Sequence, residues 1–152
     1  MTTNVGNICT REVVTVTPHI DLASAAQCMR EKNVGFLVAV DPQPNTAYGR
    51  PVGVLTDRDI VVSVVAGEAD PKMLTVADVM KQYPAMADET DSLEQALRTM
   101  RRMGVRRLPV VGAGGMLSGV LSLDDVLDVL SAELSEVSST VRGARHREDR
   151  VR

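Results

Sequence analysis

The chain contains an internal repeat, and this repeat limits what the chain can fold into. Residues 5–40 match residues 76–111 at a shift of 71, mostly at positions held by apolar residues of the kind found in protein cores. Residues 53–59, GVLTDRD, then match residues 119–125, GVLSLDD, at a shift of 66. The shift changes within 41–51, where Pro, Gly and Asn mark a loop that is shorter in the second copy. Since a fixed internal period indicates a repeated structural unit, the sequence predicts two related modules.

Each copy has the residue pattern of an α/β (α+β) module with the element order β-α-β-β-α. In the first copy, β-branched or apolar runs at 13–16, 34–40 and 52–55 predict strands. Apolar residues at helical spacing over 22–29, and again from residue 60, predict two helices. A strand, a crossover helix and a second strand form a right-handed unit. Each module is therefore predicted to hold a small three-stranded mixed sheet with helices on one side.

The predicted domains are residues 4–67 and residues 75–140. About 60 residues bury too little surface to be stable alone, so the two modules should pack together as a pseudo-symmetric pair. In the connecting segment, Thr75 and Asp78 have the spacing of a capping box for one helical turn. Residues 141–152 hold five arginines against two acids, and we predict that this basic tail is disordered.

The repeated phrase has the form Gly-x-x-Thr/Ser-x-x-Asp and leads into a predicted helix. The pairs Thr56 with Asp59 and Ser122 with Asp125 have the spacing of a capping box, which satisfies free backbone N–H groups. The same atoms suit a nucleotide, because a helix N-terminus attracts phosphate oxygens and a carboxylate can accept hydrogen bonds from both ribose hydroxyls. The two roles are compatible. The presence of Gly, hydroxyl and Asp in both copies favours a binding role.

Several stretches carry a resemblance to a known family: VGNICTREVVTV and VADVMKQYPAMA, LASAAQCM and LEQALRTM, GVRRLPVV, and GVLTDRDI with GVLSLDDV. Together they resemble a tandem pair of CBS domains, the modules named after cystathionine β-synthase, over residues 4 to about 140. The resemblance implies two β-α-β-β-α modules packed pseudo-symmetrically. It also implies clefts between the modules that often bind AMP, ADP, ATP or S-adenosylmethionine. It does not imply the chemistry of the enzyme that gave the modules their name.

The resemblance also assigns roles by position. The aspartate of each phrase would hold ribose hydroxyls, the Thr or Ser would contact phosphate or ribose, and the valine after the glycine would pack on adenine. Two arginines of the second copy lie where such domains often place a cation for phosphate, but the first copy has Gly35-Phe36 there, so the clefts should differ. A solvated arginine-rich face is the alternative explanation for these arginines. The candidate nucleotide-binding residues are Val54, Thr56, Asp59, Arg106, Arg107, Val120, Ser122 and Asp125.

Other function classes find little support in the sequence. No local grouping of nucleophile and base and no P-loop is present, so we predict no catalytic residues and no enzyme. His19 and His146 lie far apart and match no metal-binding spacing, so no metal site is predicted. The longest apolar run, 34–40, is shorter than the roughly 18 residues of a membrane span. The chain has no secretory features, and its two cysteines, Cys9 and Cys28, are far apart in sequence. We therefore predict reduced cysteines and a cytoplasmic protein.

The sequence therefore predicts a non-catalytic regulatory protein that binds an adenine nucleotide or S-adenosylmethionine, needs no cofactor and signals to a protein target in trans. One alternative is a scaffold without a ligand. Another is nucleic-acid binding through the arginine-rich tail, against which the net charge of −3 and the three aromatic rings argue. A homodimer is also expected. An apolar stripe that would serve as its interface, or would pack in the core, consists of Val126, Leu127, Leu130, Leu134 and Val137.

Overall fold

The computed structural model describes residues 3–151, and its two halves contain corresponding elements in the same order. The third helix continues as a π-helical turn over Val61–Ala66, and a short 3-10 turn, Ala113–Gly115, precedes the last strand. The helices are α1 (Val5–Ile8), α2 (Leu22–Lys32), α3 (Asp57–Ile60), α4 (Val76–Val79), α5 (Leu93–Met103) and α6 (Leu123–Val151).

The strands form two small mixed sheets, which confirms the predicted fold class. The first sheet has the order β1-β2-β3-β4 and the second has the order β5-β6-β7. In each sheet the strand before the long helix pairs in parallel with the strand after it, and a hairpin completes the unit. The strands are β1 (Thr15–Val16), β2 (Phe36–Asp41), β3 (Arg50–Thr56), β4 (Lys81–Gln82), β5 (Ala87–Asp88), β6 (Arg107–Val111) and β7 (Leu117–Ser122).

The one-turn helices α1 and α4 are exchanged between the two halves. Val5 of α1 is fully buried in the core of the second half, in one cluster with Leu108 and Val126. Val76 of α4 is fully buried in the core of the first half, in one cluster with Leu22. The segment before each module therefore packs against the other module, although the repeat places it at the start of its own copy. Each half depends on the other for a part of its core.

The exchange also explains the glycine of the repeated phrase. Strand β4 of the second half pairs antiparallel with β3, which gives the first sheet a fourth strand that the sequence analysis does not predict. At the equivalent place Thr10 forms a bridge to Val120 of β7. A Cβ atom on Gly119 would lie 2.8 Å from the Thr10 carbonyl oxygen, and one on Gly53 would collide with the Met80 side chain. Only glycine lets the exchanged segments lie this close to β3 and β7.

A third apolar cluster joins the two sheets. Val38 and Val40 of β2 and Leu117 of β7 are buried together, and side chains from both halves pack around them. The two modules therefore form one packed pair, as the limited core of each copy predicts. The partly buried members of this cluster are Val13, Phe36, Tyr48 and Val120.

The predicted disorder of residues 141–152 is wrong for the part that the structure describes. Helix α6 continues without a break to Val151, and Arg152 lies outside the described residues. The segment has no proline, and most of its residues, such as arginine, alanine and glutamate, favour helices. Its single glycine, Gly143, is exposed and has no neighbouring atom within 4 Å of an added Cβ. The strongly charged composition therefore produces a solvated helix.

Candidate functional site

Both copies of the repeated phrase form the predicted capping interactions. The Thr56 hydroxyl accepts a hydrogen bond from the Asp59 amide at 3.2 Å, and Oδ2 of Asp59 accepts one from the Thr56 amide at 2.9 Å. Ser122 and Asp125 repeat this pair of bonds at 3.1 and 3.0 Å, at the start of α6. The predicted capping box of Thr75 with Asp78 is confirmed as well. Among residues 3–151, Oδ1 of Asp59 and Oδ1 of Asp125 form no hydrogen bond, since the capping bonds go to Oδ2, so each can accept one from a ligand.

Each phrase lines its own cleft at the boundary between the two halves. The first cleft, a cavity of about 530 Å³, contains Thr56 and Asp59 with Val54. Its opposite wall comes from the second half and includes Arg106, Arg107, Ala85 and Pro109. The second cleft, about 340 Å³, contains Val120, Ser122 and Asp125 from the second half and Val13, Val14 and Phe36 from the first. Each cleft is therefore assembled from both copies.

The two clefts carry opposite charge. Four cations line the first cleft, against the carboxylates of Asp57 and Asp59. A single cation, Arg107, lines the second cleft, where it faces three carboxylates. The cations of the first cleft are Arg58, Lys81, Arg106 and Arg107, and the carboxylates of the second are Glu12, Asp124 and Asp125. The pseudo-symmetric backbone therefore presents one basic and one acidic site.

Phe36 and Arg107 separate the two clefts. They are equivalent positions at the 71-residue shift, and both line both cavities. Cζ of Arg107 lies 5.8 Å from the centroid of the Phe36 ring, within range for a cation–π interaction of about 0.5–1 kcal/mol at an exposed site. The contact holds the Arg107 guanidinium at the boundary, so its charge acts on both sites.

The structure brings together all eight candidate residues in two groups, but it places Arg106 in the cleft of the other copy and Arg107 at both clefts. Arg106 and Arg107 belong to the second copy, yet they stand opposite Thr56 and Asp59 of the first. Lys81 also lines the first cleft, although it is not among the residues predicted from the sequence. Its equivalent at the 71-residue shift is Thr10, which lines the second cleft, so the repeat held a signal for this position.

Other site classes have no structural support in the described chain. Among residues 3–151, no group of three or more His, Cys, Asp or Glu side chains is placed to hold a metal ion. Within the same residues, none of the helices combines the length and the apolar character that crossing a bilayer requires.

The profile of the CBS domain family matches residues 5–66 and 76–132. The chain belongs to the CBS domain family. An uncharacterized relative from Methanopyrus kandleri is 32% identical over 126 residues, which cover 83% of this chain and 62% of the relative, so the chain spans less than two thirds of that protein. Hypoxic response protein 1 from Mycobacterium tuberculosis is 31% identical over 122 residues, which cover 80% of this chain and 82% of that protein.

Solved structures share this fold. A CBS domain protein from Pyrobaculum aerophilum, complexed with AMP, has a TM-score of 0.71 at 27% identity, over 81% of this chain and 89% of that one. A hexameric CBS-CP12 protein from bloom-forming cyanobacteria has a TM-score of 0.70 at 29% identity, over 84% and 67%. The CBS domain pair of protein MJ0100, in complex with 5-methylthioadenosine and S-adenosyl-L-methionine, has a TM-score of 0.73 over 88% and 99%; at 20% identity it shows the fold alone.

Proposed function

We propose that this protein is a non-catalytic regulatory module that binds an adenine nucleotide in the first cleft and signals the occupancy of that cleft to a protein target in trans. The observation that carries the proposal is the first cleft itself. It combines a capped helix N-terminus, the free Oδ1 of Asp59 and four cations in one cavity of about 530 Å³. The AMP complex of the Pyrobaculum aerophilum relative supports the ligand class.

In this cleft the nucleotide would be held at three places. The ribose hydroxyls donate to the Asp59 carboxylate, and the adenine packs on Val54 and Ala85. The phosphates lie among the cations, where each charge-assisted hydrogen bond contributes about 1.5–3 kcal/mol. Since Arg106 comes from the second half and Asp59 from the first, one bound nucleotide would join the two modules.

The second cleft is proposed to take a different adenosyl ligand. Three carboxylates repel phosphate, so AMP, ADP and ATP should bind there more weakly than in the first cleft. The same carboxylates favour a neutral or cationic group, such as the sulfonium of S-adenosylmethionine. Asp125 would hold the ribose hydroxyls of that ligand, with Ser122 beside it at the helix N-terminus.

Isothermal titration with AMP, ADP, ATP and S-adenosylmethionine tests the proposal. We expect ATP to bind with one strong site, and Asp59→Ala to weaken that site by at least about tenfold, because the ribose hydroxyls lose a charged acceptor. Asp78→Ala is the matched control: it removes the same kind of capping box outside both clefts, so it reproduces any effect on folding without touching the ligand. Failure of all four ligands to bind would remove the proposal.

A second pair of variants tests the role of charge. Lys81→Ala should weaken ATP binding more than AMP binding, because ATP places more negative charge among the cations of the cleft. Arg102→Ala, which removes an exposed cation outside both clefts, should leave both affinities within about twofold. Equal losses for the two variants would mean that the overall field of the protein, and not the first cleft, attracts the nucleotide.

The proposal also covers assembly and location. We propose that the chain forms a homodimer in the cytoplasm; the hexameric cyanobacterial relative supports self-association as such. Light scattering at micromolar concentration measures the assembly, and a monomer mass would contradict it.

A further inference from the structure

Most of helix α6 projects from the packed pair of modules. The match to the CBS family profile ends at residue 132, whereas the helix runs over 29 residues to Val151. Every side chain over 131–150 is exposed, so this part of the helix packs against neither half. These 20 residues span roughly 30 Å at about 1.5 Å per residue. An isolated helix of this length is only marginally stable in water, so a partner that covers one face would stabilise it.

The projecting helix has an apolar face with the spacing of a coiled coil. Five apolar residues follow one another at intervals of three, four, three and four, which is the a and d pattern of a heptad repeat. They are exposed by 41–70%, so the core does not hold them. Only Val126, in the first turns of α6, is buried. These five exposed residues form the stripe: Leu127, Leu130, Leu134, Val137 and Val141.

Charge is distributed unevenly along the same helix. The stretch 123–141 holds five acids and no basic residue, whereas 142–151 holds four arginines and two acids. A parallel pair of such helices would place acids beside acids and arginines beside arginines, which is destabilising. An antiparallel pair would place the arginines of one helix beside the acids of the other. The helix is therefore complementary to a second copy of itself in the reverse direction.

We propose that α6 forms an antiparallel two-stranded coiled coil with α6 of a second copy, with the stripe as its seam. The register that best matches the two stripes sets Leu134 against Val137 of the partner subunit. This interface gives the proposed self-association a surface and an orientation, and it does not depend on nucleotide binding. The first turns of α6 remain attached to their own module, because Val126 stays in the core.

Sedimentation equilibrium tests the seam. Leu134→Asp should weaken self-association by at least about a hundredfold, because it places a charge in the apolar seam while the monomer stays intact; Leu134 is 70% exposed there. Ser139→Asp is the control, since it adds the same charge to the opposite face of the same helix and should change the association by less than about threefold. A dimer that survives Leu134→Asp would overturn the proposal. A monomer for the unmodified chain would also overturn it and leave the face to another partner.

Orientation is tested by spin labels placed in a variant whose two cysteines are replaced by serine. In the proposed register, labels at Ser139 of the two copies are offset by about 10 Å along the helix axis, and labels at His146 by about 32 Å. A parallel pair would give equal distances at both positions and would overturn the antiparallel arrangement. The salt dependence of self-association is a second test of orientation. Added salt should weaken an antiparallel dimer, in which opposite charges attract, and should strengthen a parallel one, in which like charges repel.

Discussion

Substitution of Val5 by alanine tests the exchange between the two halves. Val5 belongs to the first copy by sequence, but its side chain is fully buried in the core of the second half. The change removes two carbon atoms, worth about 0.8 kcal/mol each in burial, and leaves a small cavity. We therefore expect the free energy of unfolding to fall by about 2–3 kcal/mol. For a chain of this size, that corresponds to a fall in Tm of roughly 4–12 °C.

The exchange also predicts which half of the protein each substitution perturbs. In two-dimensional NMR spectra, Val5→Ala should shift the amide signals of residues near Leu108 and Val126 in the second half. Val76→Ala is the matched substitution, and it should shift signals near Leu22 and Leu55 in the first half. If each substitution instead disturbed its own copy, or if Val5→Ala left Tm unchanged, the exchange of α1 and α4 would be refuted.

Three further predictions follow from local geometry. Gly119→Ala should lower the free energy of unfolding by about 1–3 kcal/mol in urea denaturation, because its Cβ would lie 2.8 Å from the Thr10 carbonyl oxygen. Gly143→Ala should instead raise the helicity measured by circular dichroism, since the site is open and alanine favours a helix by up to about 1 kcal/mol. The hydrogen bond from Arg11 lowers the pKa of Glu89 in the folded protein. This ion pair therefore stabilises the fold at pH values above the ordinary glutamate pKa. The stabilisation is lost as the pH falls through the lower pKa of the folded state. Glu89→Gln should therefore cost less than about 1 kcal/mol at pH 7, and the difference from the unmodified protein should vanish well below pH 4 in denaturation curves.

The repeat allowed the strands, the helices and the capping boxes to be predicted, because each depends on neighbouring residues. Thr75 with Asp78, and both copies of the phrase, needed only three residues of local spacing. The exchange of α1 and α4 could not be predicted in this way, because a repeat shows which segments are equivalent and not which copy each one packs against. For the same reason, the position of Arg106 opposite Asp59 could not be predicted from the repeat.

The helical tail was mispredicted for a different reason. Five arginines and two acids in residues 141–152 have a composition typical of disorder, and composition was the main basis of that prediction. The apolar stripe ends at Val141, so the tail itself offers little to bury. The helix continues because its residues have a high helix propensity and because the preceding turns are already helical, so no new nucleation is needed. Extending an existing helix by one turn costs less free energy than nucleating a new helix.

The positions of the clefts and of α6 suggest how binding could be transmitted. Ser122 and Asp125 line the second cleft and also cap the first turn of α6, the helix that carries the proposed dimer seam. A ligand that donates a hydrogen bond to the Asp125 carboxylate would therefore act directly on the start of that helix. Arg107, held against Phe36, faces both clefts, so phosphate bound as proposed in the first cleft would draw positive charge away from the acidic second cleft. A ligand can shift such an assembly only by the difference between its affinities for the two arrangements. The required difference can arise here, because each cleft is lined by residues of both modules and its shape therefore depends on how the modules pack.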